Sequence, residues 1–271
     1  MASFGELENL VAIVTGGSYG IGRATAIRLA EEGARVTILA RGADRLDQTL
    51  QMIEQRVGKG KAIAFAADVS DEQSAPLAFE KTLTAFGGMD IIINNAGWMK
   101  YAAIDETSLD LWQSTIAVQA TASFLFAREG FRYWKNNQKA GNIIFVTSKA
   151  AQAAAANISA YSAAKAGVMH FARCLAEEGG PFNIRVNSVS PGAVLHDTAL
   201  FTEQMRQETA RKYGIPPEQL EEFYAKRSAL KVMLTPQDVA EAILFLCSPK
   251  SANITGAVLT VDAGLGNAYL R

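Results

Sequence analysis

Tyr161 and Lys165 are the residues whose types and spacing most directly suggest chemistry. They stand four positions apart in a helical pattern that starts near Ser159, so the phenol and the ammonium can lie on one helix face. A phenol alone titrates near pH ~10 and is a poor acid–base group at neutral pH. We expect the neighbouring cation to favour the phenolate and to lower the pKa of Tyr161 towards the working range. Taken alone, such a pair is more often an ordinary surface pair on an amphipathic helix.

A glycine-rich turn near the start of the chain strengthens the chemical interpretation. It follows an apolar run that predicts a strand and precedes a helical pattern. Its glycines allow the backbone to approach a ligand closely, and the helix N-terminus offers N–H groups to the pyrophosphate of a dinucleotide. The residues expected to contact the cofactor here are Gly16, Ser18, Tyr19, Gly20, Ile21 and Gly22.

The end of the second predicted strand bears on the identity of that dinucleotide. An acid at this place usually binds the ribose 2′-hydroxyl of NAD, whereas an arginine suits the 2′-phosphate of NADP. The strand ends in Ala40-Arg41 without an acid, which favours NADP because a guanidinium pairs well with a phosphate. Asp44 is near enough in the sequence to keep NAD as the alternative.

Short apolar runs alternate with helical patterns along the chain, which predicts parallel βαβ units with right-handed crossovers. Because the strands are apolar throughout, we expect a sheet covered on both faces. The predicted fold is one α/β domain over residues 1–271, a doubly wound parallel seven-stranded sheet with helices on both faces. The predicted strands are 10–14, 35–40, 62–67, 91–93, 142–146, 184–189 and 258–261; the predicted helices are 20–32, 43–57, 71–86, 109–136 and 159–178.

A polar, helix-prone insertion at about 196–231 breaks this alternation after the sixth predicted strand. Ligands of open α/β sheets bind beyond the carboxyl ends of the strands, so we expect this insertion to form a helical substrate lid. An oligomer contact is the alternative. The residues expected to give the lid a polar and aromatic lining are Asp197, Thr198, Phe201, Glu203, Gln204, Met205 and Arg206.

Composition and charge exclude several classes of function. The 26 basic and 27 acidic residues give a net charge of −1 without long blocks, which argues against nucleic acid and membrane surfaces as partners. No apolar stretch reaches the ~18 residues of a membrane span, and Met1 to Asn9 does not resemble a secretory signal. Cys174 and Cys247 lie in apolar helical patterns and are expected to be buried, inert thiols. A cytoplasmic protein without a metal site is the expectation.

In their order along the chain, the motifs resemble those of the short-chain dehydrogenase/reductase family over about residues 8–265. Besides the glycine turn and Tyr161-x3-Lys165, the resemblance is carried by Asp68-Val69, Asn94-Asn95-Ala96-Gly97, Ser148, Asn187 and Pro191-Gly192. It implies a Rossmann-type domain, a nicotinamide cofactor (NADP, with NAD as the alternative), a small-molecule substrate and a homo-oligomer, either a tetramer or a dimer.

The resemblance also implies roles for individual residues. Ser148 would bind the substrate oxygen and stabilise the charge that develops on it. Tyr161 would pass the proton, and Lys165 would bind the cofactor ribose. Asp68 and Val69 would contact the adenine. The remaining cofactor contacts implied are Asn95, Ala96, Gly97, Pro191, Gly192 and Val194.

Two positions depart from the family pattern. Gln119 stands where the family has an Asn that positions a water for the proton relay. Since Gln also donates and accepts, the relay is preserved with a shifted water, is weakened, or Gln119 is structural. His196 stands where a Thr commonly binds the carboxamide, and Thr198 or backbone groups would take over that contact. We expect His196 and Lys149 to face the substrate, which for Lys149 would be anionic or rich in hydroxyls. An ordinary loop histidine and a solvated lysine are the alternatives.

The substrate is expected to be a sugar, a polyol or a sugar-derived hydroxy or keto compound. Residues 173–180, 213–215 and 221–224 resemble sugar-catabolic members of the family, in particular the dehydrogenase part of fused rhamnulose-phosphate aldolase/dehydrogenases. A 3-oxoacyl thioester reductase is the alternative among enzymes. The alternative that is not an enzyme in the usual sense is a cofactor-binding sensor or scaffold with weak catalysis. Gln119 is the only residue in the sequence that supports it.

Overall fold

Seven strands form one parallel sheet in the computed structural model, which describes residues 5–198 and 201–265. The order across the sheet is β3-β2-β1-β4-β5-β6-β7, and every neighbouring pair is parallel. The strands are β1 (Val11–Thr15), β2 (Arg35–Ala40), β3 (Ala62–Ala66), β4 (Ile91–Asn94), β5 (Gly141–Val146), β6 (Ile184–Pro191) and β7 (Val258–Val261). The chain order reverses between β1 and β4, so the predicted doubly wound sheet is confirmed.

Helices cover both faces of this sheet. Successive side chains of a strand point to opposite faces, and Ile13 of β1 belongs to one apolar cluster while Ala12 and Val14 belong to another. The helices are α1 (Gly20–Glu31), α2 (Ala43–Val57), α3 (Ser74–Phe86), α4 (Leu109–Ile116), α5 (Ala122–Asn136), α6 (Ser159–Gly179), α7 (Glu203–Tyr213), α8 (Leu220–Arg227) and α9 (Pro236–Cys247). The predicted Rossmann-type single α/β domain is thereby confirmed.

The sequence located most boundaries closely, with one informative difference. The predicted bounds of β2, α2 and β7 coincide with those observed. The single helix predicted over 109–136 is instead interrupted by a π-helical turn, Ala117–Thr121, between α4 and α5. A π turn inserts a residue into the helical repeat, so it shifts the faces of the two flanking helices relative to each other. Gln119 lies at the middle of this turn.

The two cysteines differ in their surroundings. Cys247 is buried at the end of α9, and burial raises the pKa of its thiol to about 12, as expected for an inert group. The expectation of a buried Cys174 is wrong, because this thiol is exposed. Cys174 lies on the outer side of α6, whereas its neighbours Ala172 and Leu175 face the core. Within the described ranges, no helix is both long and apolar enough to cross a membrane.

Candidate active site

A cavity of about 390 Å³ opens at the carboxyl ends of the central strands. This is where ligands bind in open α/β sheets, and the volume is within the range of small-molecule sites. Outside the lid lining, all but one of the predicted catalytic, cofactor and substrate residues line it. They are Gly16, Ser18, Tyr19, Gly20, Ile21, Gly22, Arg41, Asp68, Val69, Asn95, Ala96, Gly97, Gln119, Ser148, Lys149, Tyr161, Lys165, Pro191, Gly192 and Val194.

The exception is His196, which the structure does not bring to the cavity. Its ring is half exposed, and its Nε2 lies 3.2 Å from Glu221 Oε2. The same carboxylate binds Arg206 Nη2 at 2.9 Å, so both side chains are held at the base of the lid segment. The expected contact between His196 and a substrate therefore has no support in this geometry.

The glycine turn forms a cradle that other residues would fill. Gly16 and Gly20 have φ of +69° and +53°, a conformation that favours glycine. A Cβ on Gly22 would lie 2.2 Å from the carbonyl oxygen of Gly16. The Asn95 amide fixes the turn from the side by donating to the Thr15 carbonyl oxygen at 2.9 Å. The turn therefore leaves the N–H groups at the start of α1 accessible, which fits the pyrophosphate of a dinucleotide.

The loop that follows β6 already approaches this cradle. Asp197 Oδ2 accepts a hydrogen bond from the Gly20 N–H at 3.3 Å, and it lies 3.4 Å from Arg23 Nη1. The carboxylate thus occupies one of the positions at which the start of α1 attracts negative charge. A phosphate bound at Gly20 would have to displace it.

Ser148, Tyr161 and Lys165 converge at the inner end of the cavity. Ser148 follows β5, and its Oγ accepts a hydrogen bond from the Ala150 N–H at 3.1 Å. Tyr161 and Lys165 lie one helical turn apart on the buried face of α6, as predicted. Lys165 Nζ donates to the Val146 carbonyl oxygen at 2.7 Å and lies 5.8 Å from the centre of the Tyr161 ring.

Burial dominates the protonation of this pair. It raises the pKa of the Tyr161 phenol, while a hydrogen bond with Ser148 lowers it. Burial also lowers the pKa of Lys165 to about 7. The expectation that Lys165 depresses the pKa of the phenol is not met, because desolvation disfavours the charged form of each group. The phenol is thus protonated at neutral pH and can donate to a substrate oxygen.

Gln119 is buried beside the backbone that leads into the site. Its Nε2 donates to the Trp98 carbonyl oxygen at 2.6 Å, whereas its Oε1 is buried without a hydrogen-bond partner among the described residues. A Cβ on Gly97 would come within 2.7 Å of that oxygen, so the glycine leaves room for the amide. Gln119 lines the cavity, so an ordered water there would satisfy the unpaired acceptor.

Two arginines flank the outer end of the cavity, where the ribose of the adenosine is expected. Arg41 and Arg45 both line it, and a Cβ on Gly42 between them would meet nothing within 4 Å. The Arg45 guanidinium stacks 4.2 Å from the centre of the Tyr19 ring. Asp44, the acid that would bind the ribose hydroxyl of NAD, does not line the cavity. Two guanidinium groups that line one end of the cavity fit a phosphate.

The lid segment lines the cavity differently from the prediction. Thr198 and Phe201 reach it as expected, together with residues of α7 and α8. The expected contributions of Glu203, Gln204, Met205 and Arg206 are wrong. Glu203 and Gln204 point to solvent, Met205 is buried within the segment, and Arg206 binds Glu221. The lid side of the cavity is instead aromatic and cationic, formed by Lys212, Tyr213 and Tyr224.

Sequence patterns did not single out three further residues of the cavity. Arg45 stands four positions after Arg41, and that spacing at the start of a helix was a usable signal. Tyr101 lies in the loop after β4, and Lys212 lies on α7, where neither is distinguished from a surface residue. Among the described residues, no group of three or more His, Cys, Asp or Glu side chains could hold a metal ion.

Comparisons with known proteins agree with this geometry. Residues 16–266 match the family model described as "Enoyl-(Acyl carrier protein) reductase". The chain is 44% identical over 266 residues to the uncharacterised oxidoreductase YuxG of Bacillus subtilis. The matching region covers 98% of this chain but only 39% of that relative. The chain thus spans about two fifths of the length of this relative.

Two solved structures are similar over nearly the whole chain. Sorbitol-6-phosphate 2-dehydrogenase of Erwinia amylovora is 30% identical with a TM-score of 0.88, covering 94% of this chain and 98% of the other. The 3-ketoacyl-(acyl-carrier-protein) reductase of Brucella melitensis, solved with NADH, is 31% identical with a TM-score of 0.84, covering 97% and 100%. The chain belongs to the short-chain dehydrogenase/reductase family. It is an oxidoreductase of that family, acting on CH–OH groups.

Proposed function

We propose that the protein transfers a hydride between NADP and a carbohydrate-like substrate: a sugar, a polyol or a sugar-derived hydroxy or keto compound. The observation that carries this proposal is the convergence of Ser148, Tyr161 and Lys165 on one cavity with the glycine turn. The nicotinamide cofactor would supply or accept the hydride. Ser148 binds the substrate oxygen, and Tyr161 moves a proton to or from it.

Lys165 and Gln119 complete the proposed catalytic group. Lys165 is close enough to Tyr161 to support the phenolate once polar groups of a bound cofactor reduce the desolvation of the ammonium. The buried, unpaired Oε1 of Gln119 would hold a water in the path of the proton. The Gln therefore takes the place of the family's Asn, with its amide oxygen shifted by one carbon–carbon bond.

The preference for NADP over NAD is supported by the charges at the outer end of the cavity. Arg41 and Arg45 both line the cavity, and Arg41 forms no ion pair with another described residue. A 2′-phosphate would give both guanidinium groups a partner. NAD remains the alternative, since the similar Brucella reductase was solved with NADH.

The carbohydrate-like substrate is supported by the similarity to sorbitol-6-phosphate 2-dehydrogenase. The greater length of YuxG is in keeping with a relationship to fused dehydrogenases such as the rhamnulose-phosphate aldolase/dehydrogenases. The similarity to a 3-ketoacyl reductase supports the alternative, a 3-oxoacyl thioester reductase. A weakly catalytic sensor or scaffold has less support, because Ser148, Tyr161 and Lys165 are all present in the cavity.

The remaining proposals concern the lid and the assembly. Residues 196–231, of which 199–200 lie outside the described residues, would form the substrate lid, since Phe201, Lys212 and Tyr213 line the cavity. We also propose a cytoplasmic homo-oligomer, a tetramer or a dimer, without nucleic-acid or membrane partners. Exposed Trp112 and Phe124 on α4 and α5 give such an assembly an apolar contact surface.

Initial rates on a panel of sugars, polyols and 3-oxoacyl thioesters, each measured with NADP and with NAD, test this function. We expect turnover of at least one carbohydrate-like compound with NADP preferred. Turnover of acyl thioesters alone would favour the alternative enzyme. Tight cofactor binding without turnover of any compound would favour the sensor.

A further inference from the structure

We propose that the substrate of this site carries an anionic group, a phosphate ester or a carboxylate, which Lys149 and Lys212 bind beneath the lid. The inference rests on the proposed function, since it assigns the substrate class of the same cavity. It starts from the cationic character of the lid side, of which the sequence indicated only Lys149.

The three cations come from three different elements and meet at one group of aromatic rings. Lys149 follows Ser148 directly, and its Nζ lies 5.7 Å from the centre of the Tyr224 ring. Lys212 Nζ lies 5.9 Å from the centre of the Tyr213 ring, and the Arg227 guanidinium lies 5.4 Å from the same ring. Tyr213 and Tyr224 pack edge to face with their centres 6.1 Å apart. Lys149 and Lys212 therefore place two positive charges at this end of the cavity, and the exposed Arg227 lies against Tyr213 outside the lining.

None of these cations has an acidic partner within ion-pair distance among the described residues. The lid does contain carboxylates, but they are engaged elsewhere. Glu221 binds His196 and Arg206, and Glu222 binds Lys226 at 2.6 Å. Among the described residues, Lys212 donates to the Ala156 carbonyl oxygen at 3.1 Å. Positive charges gathered with no acid in contact repel each other, Asp262 opposes this only from beyond ion-pair distance, and a bound anion would reduce the repulsion.

The protonation of Lys149 agrees with this arrangement. Its pKa is lowered to about 8, chiefly by burial and in smaller part by the charges of Arg227 and Lys212, whereas Asp262 opposes them. Lys149 is thus a half-buried cation that its surroundings destabilise. An anion at this position would favour the charged form and raise the pKa.

The position of Lys149 also relates the anionic group to the reacting atoms. Ser148 binds the substrate oxygen, and Lys149 extends from the next residue towards the lid. A small molecule that has its reacting carbon at Ser148 therefore reaches the cations with another part of its chain or ring. Because those cations do not touch the reacting oxygen, they bind ground state and transition state alike. They are expected to lower KM more than they raise kcat.

The test compares matched ligands on the cofactor-loaded protein, so that the phosphate-binding turn and the two arginines near the ribose are already filled. Thermal unfolding is followed with saturating NADPH and increasing glucose, glucose 6-phosphate or gluconate. A ligand that binds only the folded protein raises Tm. We expect glucose 6-phosphate or gluconate to bind at least ~10-fold more tightly than glucose, as for one added charge-assisted contact. The larger effect of the two identifies the anion.

Variants connect that preference to the proposed residues. Lys149→Met and Lys212→Met should each reduce the preference for the anionic ligand, and the double variant should abolish it. Lys59→Met removes an exposed lysine that does not line the cavity, and this variant should retain the preference for the anionic ligand. Unaltered NADPH binding shows that each variant is folded.

Equal binding of glucose and both anionic ligands would overturn the inference, as would an anion preference that persists in the double variant. The proposed function is judged separately by the substrate panel. Turnover of neutral sugars without any anion preference would retain that function and reject the cation site. Anion binding without turnover of any carbohydrate would retain the cation site and reject the proposed function.

Discussion

At the scale of single residues, the site depends on two buried groups whose charges the fold disfavours. Burial raises the pKa of Tyr161 and lowers the pKa of Lys165 to about 7, although the two side chains are neighbours on α6. The spacing of the pair revealed the shared face but not the depth at which that face lies. Depth depends on β5 and the loops packed against α6, and desolvation outweighs the pair's attraction there.

Lys165→Met should therefore change how stability depends on pH. The pKa of Lys165 is lowered on folding from its ordinary value near ~10.4, so the unfolded chain binds the proton more readily over about pH 7 to 10. In that window the buried lysine makes the free energy of unfolding rise as the pH rises from about 7 to about 10. The free energy of unfolding of the apoprotein, measured by urea at pH 6 to 9, should lose up to ~1.4 kcal/mol of slope per pH unit in the variant.

Lys59→Met is the matched control for that experiment, because Lys59 is exposed. Its pH dependence should match that of the parent protein. A slope that Lys165→Met leaves unchanged would contradict the buried, destabilised ammonium.

Arg41→Gln should weaken NADP binding while leaving NAD binding nearly constant. The guanidinium is free to pair with a 2′-phosphate that NAD lacks, and the loss of one charge-assisted contact corresponds to ~10- to 100-fold in Kd. Arg45→Gln should have a smaller effect, since this side chain also stacks on Tyr19. Fluorescence titration with NADPH and NADH measures both. A parent protein that prefers NADH would overturn the assignment of Arg41.

At the scale of elements, the π turn Ala117–Thr121 shows what a periodic pattern cannot reveal. The apolar spacing from residue 109 to 136 is compatible with one continuous helix, and the extra residue of a π turn leaves no compositional signal. Within this turn Gln119 donates to the Trp98 carbonyl oxygen, which the loop after β4 brings to it. By contrast, the glycine turn was predictable because its φ angles restrict the residue type locally.

Gln119→Ala should destabilise the protein by ~1–3 kcal/mol, because it leaves the Trp98 carbonyl oxygen without its donor and opens a small void. Urea unfolding of the apoprotein measures this. Gln113→Ala, an exposed glutamine on α4, is the matched control and should change stability little. Equal effects of the two substitutions would contradict a structural anchor at Gln119.

At the scale of the whole molecule, the sheet brings residues from distant parts of the chain to one cavity. The doubly wound parallel sheet and the location of Ser148, Tyr161 and the glycine turn could be predicted, because strand–helix alternation implies parallel strands whose carboxyl ends share one edge. The lining by Lys212, Tyr213 and Tyr224 could not, since it depends on how two lid helices pack on each other. The position of His196 in the sequence predicts a place in the cavity, but its side chain lies outside the cavity and contacts Glu221.

The contact between Asp197 and α1 joins residues 177 positions apart and predicts a coupling between lid and cofactor. Asp197→Asn should lower the Kd for NADPH several-fold, because the carboxylate at the Gly20 N–H repels a phosphate at that place. Asp110→Asn, on the exposed start of α4, should leave the Kd unchanged. Isothermal titration calorimetry compares the three proteins. Weaker NADPH binding by Asp197→Asn would show that the contact supports the bound state instead.

The central claim, that Tyr161 is the acid–base group of an NADP-dependent oxidoreductase, is tested most directly by Tyr161→Phe. The two residues differ by one hydroxyl, so the buried ring keeps its packing. With the best substrate of the panel, turnover should fall by ~100-fold or more, while the Kd for NADPH stays within a few-fold of the parent value. Turnover equal to that of the parent protein, with cofactor binding intact, would contradict the account.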